Sequence, residues 1–375
     1  MSTVRVPPVV TVTPRHPIYS QDASVFWETG RSGEAKTAVF ERLVAAAGFF
    51  DHVEAAWRLS QKDKDTFDIV VKPNIMTASQ HEVDSPVYTD PELVEWLLHE
   101  LRRRGYRRLA VVEAQNVFNY SYLGRTVPAV AEMCGYAPGR GYDIVDLSAD
   151  VVAADYGGEL GHHPVGRRWH DADYRISFAK NKTHWQSYYT ACLKNVYGCL
   201  PQWDKMYHYH GKGIEFWNAT VLMADRFPVH FGFLDAWVSG DGLSGHVRDA
   251  KPNRTRTFCA SPNIFALDWV AGLAMGLDPL RNPVIAEALA HWGPIEISAA
   301  APLPHWRDWH NVSRLTVFCI DKLEEWYWVS RFFSRAMAAS MDRRFPPVGR
   351  GQWLYGFFQF WVRLFERLTV TAASA

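Results

Sequence analysis

Residues 67–114 hold the pattern that most restricts the fold. FDIVVKPN (67–74) is a short β-branched run closed by a proline, TDPELVEWLLHELRRRG (89–105) is a capped amphipathic stretch, and RLAVVEA (108–114) is a second β-branched run. The two runs read as buried strands. Between them Thr89 and Glu92 form a capping box, Pro91 sits in the first turn, and Val94, Leu97, Leu98 and Leu101 share one helical face; Gly105 ends the helix. Strand, helix and strand in succession require a parallel pair joined by a right-handed crossover, so the predicted class is α/β.

Two further runs fit strands: YRISFAK (174–180) and VHFGFLDAW (229–237). Open α/β sheets bind ligands beyond the carboxyl ends of their strands. If the four strands are parallel neighbours, Lys72, Glu113, Lys180 and Asp235 stand at one rim. SPNIFALDWVAGLAMG (261–276), with Ser261 as cap, Pro262 first and Gly276 last, reads as a helix on the sheet, and NPVIAEALAHWG (282–293) repeats the design. RLTVFCI (314–320) fits a late strand. Residues 325–344 and 353–370 read as two helices parted by FPPVGRG, and in the second Leu354, Phe357, Phe358, Trp361, Phe365 and Leu368 recur at helical spacing. Such a stripe suits a membrane surface, the core or a homodimer face. The expected organisation is an N-terminal extension with a first helix (1–64), an α/β core with the cleft (65–320) and an amphipathic, aromatic-rich helical tail (321–375).

Composition narrows the function. The 40 Lys and Arg residues balance 40 Asp and Glu, so there is no basic field to gather nucleic acid. Five scattered cysteines without a C-x-x-C pair argue against a disulfide framework and against a cysteine-ligated zinc or iron–sulfur site, and fit a reducing cytosol. The N-terminus lacks the apolar core of a secretory signal, and no apolar run is long enough to span a bilayer. These features predict a soluble cytoplasmic chain, or one attached at most to the inner face of a membrane.

Against that neutral background, residues 180–205 gather Lys180, Lys182, His184, Lys194 and Lys205 among aromatic side chains. An unpaired buried ammonium costs several kcal/mol, on the order of the penalty for any lone buried charge, and a pocket for a carboxylate or phosphate removes that cost. Continuing the strand past Lys180 gives a K-x-K-x-H face. Lys72, Lys180 and Asn195 would hold the anion, and Gly198 permits close backbone approach. His184 is the natural proton carrier. Repulsion among lysines makes Lys182 or Lys194 a base or an imine-forming nucleophile, and the residues do not choose between them. The plain alternative is a solvated loop whose lysines pair locally.

YHYHG (207–211) offers His208 and His210, which share a face if the segment is a strand; with Asp204, Asp235 or His184 they would chelate a metal, and otherwise they contact substrate. GDGLSG (240–245) fits G-x-G-x-x-G, yet the polar, proline-broken HVRDAKPNRT follows where a dinucleotide fold needs a helix. A glycine-rich turn that positions Asp241 is the better reading. No G-x-S-x-G elbow occurs, since position 246 is His.

In chain order, K-P-N (72–74), T-D-P-E (89–92), K-x-K-T-H (180–184), L-K-N-x-x-G (193–198), Lys205 with His208 or His210, a strand ending in Asp235, A-L-D (266–268) and G-L-D-P (276–279) resemble the domain of unknown function 362 family over roughly residues 65–295. The resemblance implies a Rossmann-like, mostly parallel sheet flanked by helices, with Lys72, Asn74, Lys180, Lys182, His184, Lys194, Asn195, Gly198, Asp235 and Asp268 in one cleft. Several relatives carry a fused ferredoxin-type module, for which this chain lacks the cysteines, so no iron–sulfur cluster is expected. GDGLSG also departs from the family's G-x-G-P form at Leu243. The leading expectation is an enzyme on a small anionic carboxylate, working by isomerisation, elimination or a carbon–carbon bond step without a nucleotide cofactor. Its rivals are a membrane-peripheral anion-binding protein and a metal-dependent enzyme using His208 and His210.

Overall fold

The computed structural model describes residues 2–5, 19, 22–76, 78, 81–116, 125–184, 186–202, 205–209, 214–242, 251–299, 303–306 and 309. Its strands are β1 (Ser2–Arg5), β2 (Ser24–Thr29), β3 (Asp68–Pro73), β4 (Arg108–Glu113), β5 (Asp143–Asp146), β6 (Val151–Asp155), β7 (His162–Gly166), β8 (Tyr174–His184), β9 (Tyr188–Thr190), β10 (Phe231–Asp241), β11 (Lys251–Asn253), β12 (Thr257–Ser261) and β13 (Glu296–Ala299). The helices are α1 (Lys36–Ala46), α2 (Phe49–Ser60), α3 (Pro91–Arg103), α4 (Val127–Cys134), α5 (Arg167–Asp171), α6 (Cys192–Val196), α7 (Lys205–Tyr209), α8 (Phe216–Arg226), α9 (Ile264–Ala274) and α10 (Pro283–Trp292).

Both β-branched runs form strands where expected. Every residue of β3 is buried, as is all of β4 beyond Arg108, which is why the middles of these strands are apolar at successive positions rather than alternating. They pair in parallel, Val70 opposite Ala110, with α3 as the crossover. The sheet runs β1-β13-β2-β12-β10-β8-β3-β4-β5, with β9 on β8 and β11 on β10. From β10 to β5 every neighbouring pair is parallel. In their own chain order these five strands read 3-2-1-4-5, a doubly wound arrangement whose direction reverses between β3 and β8.

That reversal puts the β3–β4 and β8–β10 crossovers on opposite faces. One face carries Val39, Phe40, Leu97, Ile176, Phe178 and Phe233, with Phe40 stacked on Phe178 at a centroid distance of 5.3 Å. The other carries Leu193, Val196, Val221, Leu234, Leu267 and Trp292. The segment before residue 65 contributes β2, paired with β12, and the two helices α1 and α2.

Several local expectations are corrected. Asp90, not Thr89, caps α3: its Oδ1 accepts the Glu92 N–H at 3.0 Å. Thr89 is drawn into the sheet, donating to the Phe178 carbonyl at 2.7 Å and accepting the Asn74 N–H at 2.9 Å. Ser261 likewise yields its capping role to Asn263, because its hydroxyl donates to the Ser24 carbonyl at 2.7 Å while Asn263 Oδ1 accepts the Ala266 N–H at 3.0 Å. Strands β8 and β10 run beyond Lys180 and Trp237, since β9 and β11 supply hydrogen-bonding partners for the extensions. Residues 205–209 are helical rather than a strand, so His208 does not stand in the alternating geometry assumed for it.

RLTVFCI, both tail helices, Asp204, His210 and residues 243–250 lie outside the described residues. Among the described residues no helix is long and apolar enough to cross a membrane.

Candidate functional site

The switch between β3 and β8 brings the lysines of separate motifs to one rim, and alternation along the strands then divides them. Lys72 lies opposite Ser177 in the register, on the face covered by α6. Its amino group donates to Glu113 Oε2 at 2.8 Å, to the Pro73 carbonyl at 2.7 Å and to Asn195 Oδ1 at 3.1 Å. Asn195 completes the clamp by donating to the Lys72 carbonyl at 2.8 Å and to Ser177 Oγ at 3.1 Å. Burial raises the Glu113 carboxyl, with the charge of Lys72 opposing. Gly198 is required here, because a Cβ would stand 2.6 Å from Lys72 Cε and 2.7 Å from Glu113 Oε1.

Lys180 faces the other way. Its ammonium meets Asp235 Oδ2 at 2.9 Å, across the register that pairs the two residues. Asp235 also accepts the N–H groups of Asp90 and Trp237, both at 3.1 Å, so it ties α3 and β10 to β8. Burial raises its carboxyl against the pull of Lys180. The pair is a structural tie rather than a ligand-binding cation.

Asp268, on α9, reaches beneath α6. Its oxygens accept the backbone N–H groups of Cys192 at 2.7 Å and Leu193 at 2.8 Å, and Lys194 N–H adds a third bond. It thus caps the short helix that bears Lys194 and Asn195, a role the intervening sequence distance hides. Burial pushes its carboxyl up to about 8 against these three bonds.

Lys194 has a different surrounding. Its partly buried amino group lies 4.5 Å from the Tyr197 ring centroid and 5.3 Å from that of Phe216. Burial, reinforced by repulsion from Lys182, Lys72 and Lys205, lowers its ammonium to about 7, with Glu113 opposing. Lys205 is buried, donates to the Gln115 carbonyl at 3.0 Å and is lowered to about 8 by burial, again against Glu113. Lys194 thus stands within electrostatic reach of Lys182, Lys72, Lys205 and Glu113, and Glu113 also acts on Lys72 and Lys205.

Lys182 is buried in the β8 extension opposite Thr190 of β9. Gly240 lies beside it, and a Cβ there would stand 2.5 Å from the Pro86 carbonyl. His184 closes β8; its Nδ1 accepts the N–H groups of Gln186 at 3.2 Å and Ser187 at 3.3 Å, which puts the neutral ring's proton on Nε2. Asn74 follows β3 with its backbone bonded to Thr89, and buried Asp241 ends β10 opposite Lys251.

Ser187, Thr190 and His163 escaped the sequence reading, and a fourth residue was read only in part. Glu113 appeared only as a strand end, although a carboxylate closing an apolar run was its signal. Ser187 and Thr190 carry buried hydroxyls without a hydrogen-bond partner among the described residues, and nothing in their sequence context marks them. His163 of β7 bonds to Tyr209 and is lowered to about 4 by burial and by His208, so His208 has a histidine neighbour that local spacing could not disclose. Among the described residues no three His, Cys, Asp or Glu side chains converge as metal ligands.

A family model described as Domain of unknown function (DUF362) matches residues 69–272. The chain is 24% identical over 252 residues to the thylakoid-associated protein sll1697 of Synechocystis sp. (strain ATCC 27184 / PCC 6803 / Kazusa), a match covering 64% of this chain and 73% of that protein. Among solved structures, the lactate racemase apoprotein from Thermoanaerobacterium thermosaccharolyticum is similar with a TM-score of 0.40 and 12% identity, over 74% of this chain and 63% of that one. A Thermotoga maritima protein solved by the Northeast Structural Genomics Consortium follows with a TM-score of 0.32 and 14% identity, over 60% and 58%. The chain spans less than two thirds of either solved chain.

Proposed function

Because this chain belongs to the family defined by the domain of unknown function DUF362, whose matched segment contains every lysine of the rim, we propose that these lysines hold a small carboxylate and that Lys194 and His184 move protons on it. One observation supports the reading above others. Neither Lys194 nor Lys205 has a carboxylate partner among the described residues, and both stand at the switch point, where doubly wound sheets receive ligands. An incoming carboxylate offsets the burial and the repulsion that depress them.

Within this proposal Lys205 and Lys182 draw in the anion, while Lys72 and Asn195 brace the floor. Lys194, poised near neutrality, serves as base, and His184 Nε2 carries the second proton. The chemistry is an isomerisation, elimination or carbon–carbon bond step through an enolate-like species, whose negative charge the positioned ammonium groups stabilise.

Affinity for the anion has a definite sign with pH. Lys194 is cationic below about 7 and neutral above, and Lys205 follows at about 8. Malonate binding, followed by isothermal titration calorimetry, is therefore expected to weaken by about tenfold or more between pH 6 and pH 9, the loss of about 1.4 kcal/mol or more of attraction. Equal affinity at both ends of that range, or no binding at either, removes the proposal.

The printed name of the Synechocystis relative favours a second reading, attachment to a membrane surface. Co-sedimentation with anionic liposomes, abolished when residues 346–375 are deleted, is the result this reading expects; full-length chain that stays in the supernatant rejects it.

A further inference from the structure

We infer that the molecule held at this rim carries a carbonyl group next to its carboxylate, as a 2-oxo acid does, and that Lys194 joins it as an imine. This rests on the anion-holding reading and adds to it a substrate class and a covalent bond.

The surroundings of the amino groups single out Lys194. Lys72 is clamped by Glu113, Asn195 and the Pro73 carbonyl, Lys180 by Asp235, and Lys205 donates to the Gln115 carbonyl. The Lys194 amino group makes no hydrogen bond or ion pair among the described residues; Tyr197 and Phe216 rings flank it instead. An ammonium there leaves three N–H donors without acceptors, which is costly in a partly buried place. A neutral amine avoids most of that cost and presents a lone pair. The repulsion from Lys182, Lys72 and Lys205 acts in the same direction, with Glu113 as the opposing charge.

A second observation points to a ligand. Thr190 Oγ1, opposite Lys182 in the β8–β9 hairpin, and Ser187 Oγ, in its turn, are buried and have no hydrogen-bond partner among the described residues. The hairpin leads directly into α6, which bears Lys194. Orphaned hydroxyls, one of them opposite Lys182, suit the oxygens of a carboxylate and of a carbinolamine. A molecule bearing a carboxylate alone would leave the nucleophilic amine without an electrophile; one bearing both groups uses all of them.

The step balances without an oxidant or reductant. The Lys194 lone pair attacks the carbonyl carbon while the C=O π pair moves to oxygen. The nitrogen gives up its two hydrogens as protons, the oxygen takes up two and leaves as water, and a C=N bond replaces C=O. Protonated, that imine withdraws electrons from the neighbouring carbon, and His184 Nε2–H, on the same hairpin, is a hydrogen-bond donor for the bound oxygens.

The test is reductive trapping. Full-length protein is incubated with pyruvate, 2-oxoglutarate or glyoxylate together with sodium borohydride, and the adduct is located by peptide mass mapping; binding of the same acids is measured without reductant by calorimetry. The expected result is a reduced adduct on Lys194, absent from Lys194→Arg, whose guanidinium forms no such imine. Binding without an adduct, or an adduct on another lysine, overturns the imine and leaves the anion-holding reading standing. Neither binding nor adduct with any of the three acids overturns both. Should Lys194→Arg fail to fold, the mapped position in the unaltered protein decides the matter.

Discussion

Asp235→Ala is expected to destabilise the protein by about 3–5 kcal/mol, the usual effect of removing one partner of a buried ion pair. The substitution strands the Lys180 ammonium, which meets Asp235 at 2.9 Å with both side chains essentially excluded from water. It also removes the acceptor for the N–H groups of Asp90 and Trp237. Urea denaturation measures the change as a lower midpoint with an unchanged slope. The double variant Lys180→Met with Asp235→Leu should recover most of the stability, because two apolar side chains of similar length require no counter-charge. A single substitution that costs under about 1 kcal/mol, within the range of exposed pairs, would show that the pair is wet and not the tie described here.

Glu113→Gln is expected to cost a comparable amount, about 3–5 kcal/mol, and to change the site as well. It leaves Lys72 with only the Asn195 and Pro73 oxygens as charge-free acceptors besides the new amide. Glu113 is also the attraction that holds up the proton affinities of Lys194 and Lys205. Without it both amines lose their protons at lower pH, so the midpoint of the pH-dependent anion affinity should move down. The same calorimetric series, run on the variant, checks this: an unmoved midpoint would mean that Glu113 does not face these lysines. Asp235→Ala, on the opposite face of the sheet, should leave that midpoint where it is, and the contrast separates a charge in the site from a charge in the scaffold.

The strands were legible because their signal is local. FDIVVKPN and RLAVVEA are apolar at successive positions, as buried parallel strands are, and the amphipathic stretch between them shows a helical face. Caps were harder: Thr89 and Ser261 have the right chemistry, but the sheet offers their hydroxyls other partners, and Asp90 and Asn263 take the positions. The basic residues of the rim were likewise visible as a departure from the chain's balanced charge, whereas their partners were not.

By itself, then, the order of residues determined the α/β class, the parallel pair and the set of lysines that reach the rim, since strand length, helical period and residue type act over a few neighbouring positions. Only the tertiary structure decided what each lysine does. The pairing of Lys72 with Ser177 and of Lys180 with Asp235 sends two lysines that look equivalent to opposite faces, one clamped with Asn195 and the other made into a tie. Asp268 caps a helix that begins 76 residues before it. Lys194 owes its lowered proton affinity first to burial and then to charges from β3, β8 and α7. Register and long-range contact set these roles, because a side chain's charge state depends on what surrounds it in space.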